Sequence, residues 1–217
     1  MSVSKVIAPK PSSAILENYL FELNDSSLTV TASDGETTLR TNIPISRVEQ
    51  TGSTAVPAKL LTDSLKEFPD QPLMFSNEEG SAIMDIVWAS GASKIPCYDA
   101  ADYPQIQNLE DVSNSIVINA GTLLNGINNT IYATAEEELR PVMNGIYFDI
   151  QQESTTLVAS DAHKLVCYTF TGINAPQPMN FILHKKPANI LRGLLAKSED
   201  EVTVRFGSRN AQISFGD

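Results

Sequence analysis

A block of this sequence recurs at a fixed spacing, and that recurrence constrains the fold more than any single motif in it. Residues 16–23 and 30–34 return without gaps as 143–150 and 157–161, so that Phe21 corresponds to Phe148 and Ser33-Asp34 to Ser160-Asp161, a spacing of 127. The same spacing relates Gly80-Ser81, Ile86 and Trp88 to Gly207-Ser208, Ile213 and Phe215. One residue of slippage relates Val56, Lys59, Leu65, Lys66 and Phe68 to Ile182, Lys185, Leu191, Arg192 and Leu194. Ordered agreement along so much of the chain predicts two copies of one unit rather than one large fold.

The 217 residues then divide into domains at 1–112 and 113–217, each of roughly 105 to 115 residues and large enough to bury a core. Neither copy is complete by comparison with the other. The second opens with Ser115-Ile116-Val117-Ile118-Asn119 and a helical run whose counterparts in the first would lie before Met1, while the first continues through 91–106, beyond the equivalent of the second's end. The chain is therefore expected to lack pieces at both ends. A formal charge of -11 argues against a surface coated in basic groups, although a local basic patch is compatible with it. Cys97 and Cys167 fall at unrelated positions in the two copies, which suggests neither a disulfide framework nor a zinc cluster but reduced, buried thiols. No stretch approaches the roughly 18 apolar residues of a membrane span, and the N-terminus has no signal-peptide core, so a soluble intracellular protein is the default expectation.

Short alternating or β-branched runs at 19–23, 27–32, 38–43, 83–88, 146–150, 155–159 and 202–206, separated by Asn, Asp, Ser and Gly, read as antiparallel strands. Helices move the class to α+β. Asn119 is a plausible N-cap for a helix with Ala120, Leu123, Leu124, Ile127 and Ile131 on its apolar face. Pro57 suits the first turn of a helix whose apolar side is Leu60, Leu61, Leu65 and Phe68, and Pro187 does the same ahead of Ile190, Leu191, Leu194 and Leu195. Residues 110–114 are the expected linker. The acidic clusters Glu136-Glu137-Glu138 and Glu199-Asp200-Glu201 read as solvated turns.

Chemistry concentrates on the two later helices. Lys59 and Lys66 are seven residues apart, two helical turns, and so project from one face; Lys185 and Arg192 repeat the spacing, with Lys186 adjacent. Lys185 and Lys186 sit at a helix start, where cations cost a few tenths of a kcal/mol against the macrodipole; that tilts toward a phosphate-facing role, but an ordinary solvated helix face is the weightier reading of the residues alone, and Asp63 lies beside the first pair. Asp161 and His163 could be imagined as metal ligands or as the base pair of a small hydrolase, but Ser160-Asp161 capping a tight turn after a strand is the simpler reading. A two-domain adhesion or carbohydrate-binding module is a further alternative, and it would call for secretion signals. No Gly-rich phosphate loop, nucleophile elbow or metal-spaced Cys/His set is present.

The runs Glu138-Leu139-Arg140-Pro141-Val142-Met143-Asn144-Gly145-Ile146-Tyr147-Phe148 and Val158-Ala159-Ser160-Asp161-Ala162-His163-Lys164-Leu165 resemble the second domain of the bacterial DNA polymerase III β subunit family, the replicative sliding clamps. Val56-Pro57-Ala58-Lys59 and Asp102-Tyr103-Pro104 are similar to the family's first domain. The resemblance implies tandem clamp-type domains, with antiparallel sheets outside and helices lining a DNA channel. It implies a non-catalytic processivity factor without cofactor or metal, cytoplasmic and nucleoid-associated. Its partners would be duplex DNA, bound without regard to sequence, the polymerase III catalytic subunit, the clamp loader and other proteins carrying a clamp-binding motif. Position by position, Lys10, Lys59, Arg140, Lys185 and Lys186 match basic DNA-facing sites, to which the spacing argument adds Lys66 and Arg192. Met143, Ser160, Ala162, His163, Lys164 and Leu165 match the second-domain half of a partner-peptide cleft, where Met143 and Leu165 would supply apolar walls; ordinary core packing is the other reading of those two. Lys94, Ile95 and Cys97 resemble the family's subunit-contact edge. A third domain is absent from the match, so this chain as it stands is not expected to close the homodimeric ring.

Overall fold

The computed structural model describes residues 3–78, 80–105, 114–136, 140–173, 175–207 and 210–216. The chain forms two compact units, Met1–Ile106 and Gln107–Asp217. The expected boundary at 112/113, and all of the expected linker but Asn114, lie outside the described residues. Asn114 itself opens a strand.

In the first unit, β1 (Asn18–Leu23), β2 (Ser27–Ser33), β3 (Thr38–Pro44) and β4 (Gly52–Pro57) form an antiparallel sheet in the order β3-β2-β1-β4. Helix α1 (Ala58–Glu67) follows directly, and β5 (Met74–Asn77), β6 (Ile83–Trp88) and β7 (Gly91–Pro96) make a second sheet in that order. The second unit opens with β8 (Asn114–Asn119) and α2 (Ala120–Thr130). It then repeats the first sheet as β9 (Gly145–Ile150), β10 (Ser154–Ser160), β11 (Leu165–Thr171) and β12 (Met179–His184), in the order β11-β10-β9-β12. Helix α3 (Lys185–Leu195) precedes β13 (Glu201–Phe206) and β14 (Ala211–Ser214), which join β8 as β14-β13-β8. Every strand foreseen from the residue pattern is present.

The pleat sorts side chains by parity. Along β10, Thr155, Leu157 and Ala159 face inward, and along β9 Ile146, Phe148 and Ile150 do, joining Leu123 and Ile127 of α2 and Val202, Val204 and Phe206 of β13 in one core. Phe148 stacks on Phe181 at 4.6 Å, and Phe181 meets Phe206 at 4.7 Å, tying the two sheets together through aromatic faces. In the first unit the Tyr19 hydroxyl and Thr62 Oγ1, 2.9 Å apart, link β1 to α1, and Phe68 packs on Trp88 at 4.4 Å.

Strand register corrects the expected slippage. Asn18 pairs with Pro57 and Gly145 with His184, so the spacing of 127 holds through β4 and β12 into the helices that follow. Lys59 therefore corresponds in space to Lys186, not Lys185, whose counterpart is Ala58. Pro57 ends β4 as the N-cap of α1 rather than sitting inside its first turn. Leu60 is 44% exposed; α1 buries Ala58 and Leu61 instead. Cys97 is buried as expected, but Cys167 is exposed because the even-numbered partners of β11 face inward and the odd ones outward.

Candidate nucleic-acid and peptide surfaces

Helices α1 and α3 begin alike. Each leaves a strand without a loop, neither N-cap (Pro57, His184) has a side-chain cap bond, and neither first turn holds an acidic residue. By contrast α2 is capped by Asn119, whose Oδ1 accepts from the amides of Gly121 and Thr122 at 2.9 and 3.3 Å. Among the described residues, two of the three α-helices thus start without a side-chain cap and with a cation in the first turn, Lys59 in one and Lys185 with Lys186 in the other, a setting for anions rather than for further cations.

The basic residues differ in how free they are. Lys59, Arg140 and Arg192 are exposed, as is Lys10 on the loop after the 3-10 turn Val3–Val6, and among the described residues none of the four has a carboxylate within ion-pair range. Lys66 is exposed but bonded to Asp63 at 3.0 Å one turn away. Lys185 is only 22% exposed at its side chain and is paired with Glu136, so a phosphate would compete for it. Glu136 is accordingly more than a solvated residue of its acidic cluster, whose other two members lie outside the described residues. Lys186 is exposed on α3. The Lys185 amide donates to the Asn144 carbonyl at 3.1 Å, which places the loop of Arg140 at the same end of the second unit as the start of α3.

The second set of residues gathers at one end of the β11-β10-β9-β12 sheet. Ser160 and Leu165 pair across the β10–β11 hairpin, and the β9–β10 register carries Ser160 to the level of Gly145, two residues after Met143. The hairpin is built by its side chains: Asp161 Oδ1 accepts from the amides of His163 and Lys164 at 3.0 and 2.9 Å, and Ser160 Oγ donates to the Lys164 carbonyl at 2.9 Å. Lys164 Nζ reaches Asp161 Oδ2 at 2.5 Å; this bond above all, with the two amides, holds the Asp161 carboxyl far below the usual carboxylate range. The carboxylate thus serves the turn, and it binds the His163 main chain rather than its imidazole, so the pair does not form the acid–base dyad of a hydrolase. Among the described residues no cluster of three metal-ligating side chains occurs.

Ala162 at the hairpin tip has φ +74°, a left-handed conformation that L residues avoid. Its counterpart in the β2–β3 hairpin is Gly35 at φ +96°, in a turn closed the same way by Asp34 Oδ1 on the amides of Glu36 and Thr37. What distinguishes the second unit is the apolar surface beside the turn. Leu165 is 67% exposed and Val142 68%, with Met143 half-buried between 3-10 turn and strand. Val142 was not singled out from sequence, and its only signal there was its place beside Met143 in a turn that exposes one of the two.

At the third location, β7 is the last strand of its sheet, which puts Lys94, Ile95 and Cys97 along an edge. Ile95 is buried in β7 and Cys97 just beyond it, where the thiol lies 3.4 Å from the Ser81 carbonyl, while Lys94 points out to Asp85 at 3.3 Å. A partner at this edge would meet main chain and Lys94, not the other two side chains.

Two family models divide the chain in order: the DNA polymerase III beta subunit N-terminal domain matches residues 1–107, and its central domain matches 117–217. The chain belongs to the DNA polymerase III β subunit family. The beta sliding clamp of Proteus mirabilis is 26% identical over 220 residues, covering 99% of this chain but 58% of the relative. The β subunit of Thermotoga maritima superposes with a TM-score of 0.88 at 24% identity, and the sliding clamp of Pseudomonas aeruginosa, solved with griselimycin bound, with 0.91 at 22%; each is covered over 58% of its length. The α+β architecture is therefore the clamp fold, and the chain spans a little over half the length of the clamps it matches. No helix among the described residues is long and apolar enough to cross a membrane.

Proposed function

We propose that the chain acts as a sliding clamp: a non-enzymatic processivity factor that holds the replicative polymerase, and other proteins with a clamp-binding motif, on duplex DNA. The observation that carries this reading is the consecutive match of two clamp domain models to two repeated units, each of which starts a helix with an uncapped, cationic turn. Lys10, Lys59, Lys66, Arg140, Lys185, Lys186 and Arg192 supply the contacts to phosphate, which position without reading sequence. Met143, Ser160, Ala162, His163, Lys164 and Leu165 supply half of a peptide site, with Val142 as a further apolar wall and the exposed His163 and Lys164 at the rim. The site works by binding alone, and the engagement of Asp161 in its turn agrees with a role without acid–base chemistry.

A fluorescent peptide of the Gln-Leu-x-Leu-Phe type, titrated with the full chain and followed by anisotropy, tests the reading. Saturable binding that weakens at least about tenfold in Leu165→Asp, an exposed position whose change spares the core, and that is unaltered in Lys59→Glu, is the expected result. Equal binding by all three proteins, or none by the unaltered chain, contradicts it.

A further inference from the structure

Lys185 differs from the other cations assigned to phosphate in taking its carboxylate from a distant part of the chain. Glu136 lies 49 residues away in sequence, and the pair covers the lysine, whose side chain is 22% exposed against 87% for the glutamate. Lys66, by contrast, takes Asp63 from its own helix, and both of those side chains are more than half exposed, so solvent screens their attraction.

The spacing of 127 assigns the Lys185–Glu136 pair to the second unit alone. It places Ala58 opposite Lys185 and Pro9 opposite Glu136, so the first unit lacks both members. The segment that bears Glu136 is itself held against the start of α3. Thr134 is buried, the Ala135 amide donates to the Met143 carbonyl at 2.9 Å, and the Lys185 amide donates to the Asn144 carbonyl at 3.1 Å. The carboxylate is thus tethered beside a helix start that has no side-chain cap, where the helix dipole favours an anion.

From this arrangement we infer that Glu136 is a resident anion that stands where a phosphate comes to sit, and that it makes the Lys185 contact with DNA a releasable one. The inference rests on the reading of α3 as a DNA contact. A phosphate must displace the carboxylate from Lys185, and the carboxylate, kept within reach by its tether, recaptures the ammonium when the phosphate moves on. Lys185 and Glu136 together bring no net charge to the backbone, so in the unaltered chain the pair adds little to the counter-ion release that ties affinity to salt. Arg192, two turns along the same helix, has no carboxylate within ion-pair range among the described residues and holds its phosphate without such a competitor.

The test measures affinity and dissociation rate on a labelled duplex of arbitrary sequence, across a range of salt, for the full chain and for Glu136→Gln. Glu49→Gln, which frees Arg47 from its carboxylate, controls for net charge. Glu136→Gln should bind about threefold more tightly or better and dissociate correspondingly more slowly, with the slope of log K against log salt steeper by about 0.9. Glu49→Gln should leave the slope unchanged. In a Lys185→Gln background the steepening caused by Glu136→Gln should fall to less than half, because no phosphate contact is then released. Salt-dependent binding whose slope Glu136→Gln does not change overturns this inference and leaves the clamp reading standing. So does a steepening that persists in the Lys185→Gln background or is matched by Glu49→Gln. No duplex binding by the unaltered chain overturns that reading and this inference with it.

Discussion

At the scale of single residues, the two hairpin turns form a natural comparison. Both are closed by an aspartate on two amides, but one places glycine and the other alanine at the left-handed position. The left-handed cost of about 1–2 kcal/mol for a residue with a Cβ is partly offset by the lower chain entropy alanine has when unfolded. Ala162→Gly should therefore stabilise the protein by up to about 1 kcal/mol, and Gly35→Ala should destabilise it by about 1 kcal/mol or more, measured by urea unfolding. That the alanine persists in the turn beside the candidate peptide surface fits the tendency of strain to sit at functional positions. Asp161 gives a pH prediction. Its carboxyl titrates lower folded than unfolded, so its contribution is present above the ordinary carboxylate pKa near about 4 and is lost as pH falls below it. Asp161→Asn should lower Tm at pH 7, and the difference from the unaltered chain should shrink steadily toward pH 2.

At the scale of elements, packing sets which changes the units tolerate. Gly145 begins β9 where a Cβ would lie 2.7 Å from Ile182 Cγ2 and 2.8 Å from the Leu183 carbonyl, a main-chain atom that cannot swing away. Gly145→Ala should cost about 1–3 kcal/mol through overpacking. Phe148→Ala, which removes a fully buried ring stacked on Phe181, should cost about 3–5 kcal/mol. The seven strands and three helices read from the sequence were legible because strand alternation and helix period are local properties, and Asn119 announced its helix by its own chemistry; the other strands, such as β5 and β14 with four residues each, are too short or irregular to show that alternation. The helix registers were less so. Aligning the basic residues of α1 and α3 shifts the repeat by one, but pairing of β4 and β12 with their neighbours fixes the helix starts, and side-chain charge has no say in it. Leu60 misleads for a related reason: it is apolar and next to Leu61, yet a helix turns about 100° per residue, and only Leu61, Leu65 and Phe68 share a face.

At the scale of the whole molecule, an acidic chain with exposed cations on α1 and α3 has a local rather than a global attraction for phosphate. The repeat made the two-unit organisation readable from sequence alone, while the pairing of Lys185 with Glu136 depended on a contact 49 residues apart that no local pattern encodes. Lys59 on α1 and Arg192 on α3, like Lys10 and Arg140, have no carboxylate within ion-pair range among the described residues, and they should contribute in full. The most direct measurement is the salt dependence of duplex binding by the full chain, compared with Lys59→Gln/Arg192→Gln and with Arg47→Gln, which removes a cation already paired with Glu49. Each phosphate contact contributes a slope of about -0.9 in log K against log salt. The account predicts binding at low salt whose slope becomes shallower by about 2 in the double variant and stays unchanged in Arg47→Gln. Binding with the same slope in all three proteins, or no binding by the unaltered chain, would contradict it.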